Sequence, residues 1–307
     1  MPSLFRPLIL SLLILILASV AYAKGEEQER EELWQPTTPG PFVTFSAPVQ
    51  QKNQINIQPL YFFNIGRGRF TAEGNYKSLP RRDYSDQQLI QLYAQYGLTD
   101  CWELDVQPAW QFNYSKVAQS SAESYGFADM FVMTRYCFIE ETRWIPRATA
   151  LFQVKLPTGK FQKSEEGKLN TDITGTGSID YVYGFNFTKG IKPLLFHLDL
   201  LFTNAPSPVK IDGVKTEFSD TYTANGAVEW VFYKNFNLLG ELLWQRQRDK
   251  RRNGDWAPST AQSSLIFSTG IGYSKKSWQV LVGYQRTLAG QNVNANDTVA
   301  VTVLMNF

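Results

Sequence analysis

The sequence predicts an all-β chain, folded as a transmembrane antiparallel up-and-down β-barrel of about twelve strands. Three observations lead there. The first residues read as an export signal. The rest alternates apolar and polar residues in strand-length runs. Finally, no second apolar run approaches the ~20 residues a membrane helix needs, although aromatics make up 14% of the chain and charged residues only 19%, against a usual ~25%. Barrel strands carry only half the hydrophobicity of a membrane helix, because alternate residues face the lumen.

Arg6 supplies the positive start of the signal, Leu8 to Val20 its apolar core, and Ala21-Tyr22-Ala23 a small-residue cleavage site. Residues 1–23 are therefore set aside as a signal peptide, with an uncleaved anchor as the alternative. No Cys follows the core, which counts against a lipoprotein. Residues 24–53 differ in composition from the strand-patterned remainder of the chain. A charge run, Glu26 to Glu32, precedes Pro36, Pro39, Gly40, Pro41 and Pro48, which forbid long regular structure. They read as a Pro-rich periplasmic segment, a solvated tail, with a short helix over Glu26–Trp34 as the alternative.

The barrel occupies 54–307. Period-two alternation is clearest at 102–114, where Leu104, Val106, Trp110, Phe112 and Tyr114 share one parity and Glu103, Asp105, Gln107, Gln111 and Asn113 the other. The pattern places strands near 54–70, 87–98, 102–115, 125–140, 147–158, 175–188, 193–204, 220–233, 237–248, 261–274, 278–288 and 297–307. Connections alternate between short and long, as periplasmic turns and outer loops do in outer-membrane barrels. Aromatics gather at both predicted ends, among them Trp102, Tyr136, Trp230 and Trp278 at one and Trp110, Phe202, Trp244 and Tyr284 at the other. The last strand alternates down to Phe307, which resembles the recognition signal for the outer-membrane barrel assembly machinery. Pro59 and Pro108 fall inside predicted strands, and a local bulge is expected at each.

The lumen parity carries Glu103, Asp105, Gln107, Asp129, Asp180, His197, Asp199, Glu229 and Glu241, against Arg135 and Lys155. In an open channel this acidic excess favours cations. The alternative is a filled lumen in which these side chains bond across the interior. Cys101 and Cys137 share the inward parity at similar heights, and the periplasm permits oxidation. A disulfide is expected between them, with two free thiols as the alternative.

Three short motifs, Gly97-Leu98-Thr99-Asp100, Gly126-Phe127-Ala128-Asp129-Met130 and Lys155-Leu156-Pro157-Thr158-Gly159-Lys160, occur in an order and spacing that resembles the outer-membrane barrels grouped under the meta-pathway of phenol degradation, often labelled transporters. The resemblance runs from about residue 55 to the end. It implies a barrel of this size and transport of small, aromatic or hydrophobic compounds, and it assigns no functional residue.

Catalysis is not expected. His197 is the only histidine, and the position two residues on, where barrel phospholipases carry Ser, is Asp199. One His and two Cys make no usual metal set, and no cofactor motif is present. The near-even charge, 30 Lys+Arg against 28 Asp+Glu, does not suggest nucleic acid. Arg246, Arg248, Lys250, Arg251 and Arg252 form a basic outer run. It reads as a holder of lipopolysaccharide phosphates or small anions, or more simply as a solvated loop. The function expected is passive passage of small solutes through a bacterial outer-membrane channel. The alternative is a structural or adhesive surface barrel acting through its loops.

Overall fold

The computed structural model describes residues 33–307. The predicted signal peptide and the charge run at 24–32 lie outside the described residues. The strands are β1 (Ile55–Phe70), β2 (Tyr76–Ser78), β3 (Tyr84–Thr99), β4 (Trp102–Gln107), β5 (Ala109–Val117), β6 (Ser120–Phe127), β7 (Met130–Ile139), β8 (Arg147–Leu156), β9 (Asp180–Ile191), β10 (Leu194–Asn204), β11 (Val209–Ile211), β12 (Val214–Glu217), β13 (Thr221–Tyr233), β14 (Phe236–Gln247), β15 (Arg251–Arg252), β16 (Asp255–Trp256), β17 (Gln262–Ser274), β18 (Trp278–Gln291) and β19 (Val293–Asn306).

Neighbours in sequence pair antiparallel around the wall, and the β1–β19 and β1–β3 ladders close it. The segments β4 and β5 form one continuous span, as do β6 and β7, so the barrel has twelve spans. At the closure Phe307 donates its N–H to the Ile55 carbonyl (2.8 Å), and Ile55 donates back to Phe307 (3.1 Å). The last residue thus seals the last edge, which removes the unpaired strand that membranes do not tolerate.

The alternation has the expected physical consequence. Outward residues such as Trp102, Leu104, Trp230, Leu242, Val282 and Val299 are exposed to the surroundings, while their neighbours Glu103, Asp105, Glu229 and Glu241 are fully buried. A one-residue slip would invert both sets.

Four parts of the wall differ from the sequence reading. Strands β18 and β19 run on to Gln291 and from Val293, so the expected long connection between 288 and 297 is a turn at Asn292 (φ 52°). The 116–124 loop contracts to a turn at Ala118–Gln119, with Ala118 in the left-handed region (φ 53°). Strand β9 begins at Asp180 rather than 175, because the residues before it fold back against the wall. The loops at 205–219 and 249–260 carry β11, β12, β15 and β16, which make a separate four-stranded outer sheet.

The prolines behave differently from each other. At Pro108 the register toward β3 runs on unchanged, from Ala94↔Val106 to Gln91↔Ala109. The extra residue lies in the strand opposite: Gln107↔Phe131 gives way to Trp110↔Phe127, with Ala128 and Asp129 bulged out. Pro108 lacks a donor, and the neighbour supplies the irregularity. At Pro59 there is no bulge. The pairing with β19 keeps one register from Ile57↔Met305 to Leu60↔Thr302. The Pro59 carbonyl instead accepts the Thr302 hydroxyl at 3.1 Å.

Candidate functional site: the strapped lumen

Residues 33–53 do not form a solvated lead-in. They run through the barrel as a strap, and the expectation of a periplasmic tail is corrected for this part. Four prolines keep the strap out of any ladder, so its peptide groups need other partners inside the lumen. The wall provides them. Glu241 of β14 accepts the backbone N–H of Val43 (3.1 Å) and of Thr44 (2.6 Å), and the Thr44 hydroxyl (2.7 Å). Asp199 of β10 accepts the Phe45 N–H at 2.7 Å and the Asn186 amide at 2.9 Å. Glu103 of β4 accepts the Gln50 N–H at 2.5 Å, and Glu229 of β13 the Thr38 hydroxyl at 3.1 Å. Arg135 of β7 binds Glu103 at 2.8 Å and donates to the carbonyls of Ser46 and Pro48. Ala47 is held at both ends: its N–H reaches Thr188 Oγ1 (2.8 Å), and Thr149 donates to its carbonyl (2.5 Å).

The inward acids are therefore not a cation filter. Buried carboxylates need donors, and the strap's amides need acceptors, so each resolves the other's desolvation cost. Glu103, Asp199, Glu229 and Glu241 thus follow the filled-lumen alternative, with the strap as the group they bond. Asp105 sits in the same buried layer and accepts the Tyr93 hydroxyl at 2.9 Å. The strap also fits sockets. A Cβ at Gly97 would fall 1.9 Å from the Gln51 carbonyl oxygen, and one at Gly283 would fall 2.5 Å from the Phe42 ring. Only glycine allows the strap to approach the wall this closely.

Around Phe42 the inward parity turns apolar. Leu60, Phe62, Met133, Leu151 and Val182 gather with it in one buried cluster. A cavity of about 750 Å³ follows the strap, lined by Phe42, Phe45, Leu60, Val182 and Leu201, with Gln107 among its polar residues. Nearer the outer mouth a second cavity of about 270 Å³ is lined mainly by amides, among them Asn64, Gln87, Gln111, Asn113 and Asn296, together with the Asp86 carboxylate.

A lumen occupied by its own N-terminal strap, in a barrel of twelve spans, sets the frame for comparison with known proteins. The family model described as "Putative MetA-pathway of phenol degradation" matches residues 62–303. The chain belongs to this family. No curated protein matches the sequence. Among solved structures it is similar to the COG4313 outer membrane channel from Pseudomonas putida F1, with a TM-score of 0.69, 14% identity, and coverage of 85% of this chain and 98% of that one. The transport unit of the autotransporter AIDA-I from Escherichia coli matches at a TM-score of 0.47 and 12% identity, over 84% and 92% of the two chains. The CymD monoaromatic hydrocarbon channel matches at 0.42 and 7%, over 84% and 89%. The fold is that of an outer-membrane barrel, and the outer membrane is where this family member resides.

The remaining predicted lumen residues of this family member form a second group near the outer end. Above the pair Met130↔Leu156, the ladder between β7 and β8 stops, and the far edge of β6 has no partner strand. Residues 157–179 take that place. Thr158 and Thr174 donate to the carbonyls of Ala128 (2.6 Å) and Phe127 (2.7 Å). The Asp129 carboxylate accepts the N–H groups of Gly159 (3.1 Å) and Thr176 (2.9 Å). Lys155 pairs with Asp180 at 2.5 Å and lies 3.8 Å from Asp129. At this seam side chains replace the ladder. Asp129 could be seen in the sequence as inward-facing, but its role depends on a loop fold that no local pattern encodes.

His197 is bound at Nε2 by Glu229 (3.0 Å) and at Nδ1 by Thr188 Oγ1 (3.0 Å). The order hydroxyl, imidazole, carboxylate has the connectivity of a hydrolytic triad. Here, however, the Thr188 hydroxyl is covered by Ala47 of the strap, and the chain of contacts ends on strap groups. Asp199, two residues on and on the same inward face, is not the partner of His197 and serves Phe45 instead. Thr188 and Thr149 were missed because an inward Thr carries no signal of its own.

Cys101 and Cys137 are free thiols in the structure rather than the expected bridge. Cys101 Sγ lies 3.5 Å from Thr99 Oγ1, while Cys137 Sγ is directed to the Ile139 carbonyl and the Glu140 carboxylate, both at 3.4 Å, beside the bulge between Cys137 and Ile139. The backbones are nonetheless directly opposed, with the Cys137 N–H donating to the Cys101 carbonyl at 2.8 Å. We propose that a periplasmic thiol oxidant closes this pair by rotamer change alone. Alkylation of unreduced, denatured protein from the outer membrane should then label no thiol, and two labelled thiols would leave the reduced arrangement as the native one.

Proposed function

We propose that this protein is an outer-membrane channel for passive passage of small molecules, with uncharged solutes bearing an apolar or aromatic body as its main class. The carrying observation is the lumen itself. Its outer mouth presents mainly amides, with Asp86 among them, and its middle presents a cavity of ligand size beside the strap, where Phe42, Phe45, Leu60 and Leu201 face amides and hydroxyls. The charged groups along the inner cavity, Arg135, Glu141 and Arg147, are each ion-paired, and the outer cavity carries the Asp86 carboxylate among its amides. The family match and the similarity to an outer-membrane channel support this reading. Among the described residues, the triad-like contact of Thr188, His197 and Glu229 is closed by the strap, whose Ala47 N–H occupies the Thr188 hydroxyl.

The test is solute leak from liposomes holding verified folded protein. Small uncharged aromatic alcohols should leak faster than from empty liposomes, and faster than charged analogues of the same size. Leak equal to the control for every solute, with no conductance in planar bilayers, would sink the channel reading. The surface-barrel alternative would then stand, supported by the outer sheet of β11, β12, β15 and β16.

A further inference from the structure

The lipid-facing parity of β14 does not end at the membrane boundary. Leu242, Trp244 and Arg246 are successive outward residues, all exposed, and Arg248 follows on the same face. Trp244 marks the top of the apolar band, as amphipathic rings at a headgroup boundary do, and Tyr222 of β13 stands directly across from Arg246. Alternate residues on a strand are about 7 Å apart. With the usual tilt of roughly 40°, Arg246 and Arg248 stand about 5 and 10 Å above Trp244. That is the depth at which the lipid phosphates of the outer leaflet lie.

These cations have no anionic partner. Among the described residues no ion pair includes Arg246, Arg248, Lys250, Arg251 or Arg252. Asp255 stands directly across from Arg252 in the outer sheet, and the other nearby acids are engaged otherwise. Asp249 accepts from Thr260 and Ala261, Asp220 from Asn204, and Glu217 pairs with Lys215. Aromatic rings hold the cations in place without neutralising them. The Arg248 guanidinium lies 5.7 Å from the Tyr222 ring centre, Arg251 lies 4.3 Å from Trp256, and the Lys250 ammonium 4.9 Å from Phe218. The outer sheet fixes Arg251 and Arg252 through their pairing with Glu217 and Thr216.

We infer that Arg246 and Arg248, with Lys250 and Arg251 above them, form a binding site on the outer rim for the phosphates of lipid A, the phosphorylated disaccharide of lipopolysaccharide. The acyl chains lie against Trp244, Leu242 and Tyr222, and the phosphates accept from the guanidinium groups, whose planar fork suits such oxygens. Lys250 fits the same picture: burial, and then Arg252, push its ammonium below the ordinary lysine range, a strain that a bound anion would relieve.

The experiment uses the full chain, delipidated and refolded in detergent, with folding verified by heat-modifiable electrophoretic mobility. Native mass spectrometry then measures retention of three probes: bis-phosphorylated lipid A, the same lipid with its phosphates removed, and free tripolyphosphate. Bis-phosphorylated lipid A should be retained at least tenfold better than either of the others. The double variant Arg246→Glu/Arg248→Glu should lose that preference. A control, Lys275→Glu/Lys276→Glu at the periplasmic turn, should keep it. Equal retention of dephosphorylated lipid would overturn the proposal in favour of plain hydrophobic contact. Equal retention of tripolyphosphate would overturn it in favour of a soluble-anion site in the loops. A folded double variant that still prefers lipid A would move the site elsewhere. None of these outcomes depends on solute passage, so the channel reading stands or falls separately.

Discussion

Deleting residues 33–52 should raise the conductance of the folded barrel by about tenfold, because a twelve-span lumen is wider than a side-chain-filled one and the strap takes up most of its cross-section, leaving a narrow path beside it. The strap is bound at Glu229, Glu241, Asp199, Thr188, Arg135 and Glu103, and wedged by Phe42 against Gly283. Deletion leaves the wall carboxylates facing water rather than amides. The wide state should therefore also become salt-sensitive and cation-preferring, as an acidic pore wall dictates. The intermediate variant Glu241→Gln removes the charge that holds Val43 and Thr44. It should flicker between the narrow and wide levels in single-channel records. Conductance unchanged by the deletion, in protein shown to be folded, would mean that the strap is not the element restricting the lumen.

The second large effect is expected at Glu103→Ala, which should destabilise the barrel by about 3–5 kcal/mol, the usual cost of leaving one member of a buried ion pair without its partner. Arg135 and Glu103 are 3% and 0% exposed, and Asp105 is a poor substitute because its carboxylate faces Tyr93. Denaturant midpoints of the detergent-folded protein, followed by heat-modifiable mobility, give the measurement. The double variant Glu103→Leu/Arg135→Leu separates charge from packing. It should recover most of the loss, since an apolar pair buries no uncompensated charge. It should nevertheless conduct more than the parent, because Gln50, Ser46 and Pro48 lose their anchors. Equal destabilisation of the single and double variants would show that the strap contacts, not the buried charge, set the stability.

Much of the barrel was legible because alternation is a local property. Each of the twelve spans announces itself in its own residues, and the lengths of the connections orient them without any knowledge of partners. The same logic placed Glu103, Asp199, Glu229 and Glu241 inside. Of the two readings open for them, a cation filter and side chains bonded across a filled lumen, the contacts fit the second, and the sequence could not choose because it tells which way a side chain points, not what lies opposite. Their partners, Val43, Thr44, Phe45 and Gln50, are between 53 and 198 residues away, and a run of prolines looks the same in water as in a lumen. Likewise Pro108 signalled an irregularity, but only the pairing showed that the bulge sits in the neighbouring strand, at Ala128 and Asp129.

The all-β architecture, the inward and outward faces, the aromatic boundaries and the basic outer run are thus determined by residue order alone, since each follows from spacing along one segment. The tertiary structure decided the rest. It set the strap inside the barrel, divided the inward charges into a strap-holding group and a seam-holding group, brought Thr188 and Glu229 to His197, and left Arg246 and Arg248 without acids. Those outcomes depend on which groups meet after closure. A buried peptide group or carboxylate must find a partner wherever the fold puts one, and its own sequence neighbourhood holds no record of that choice.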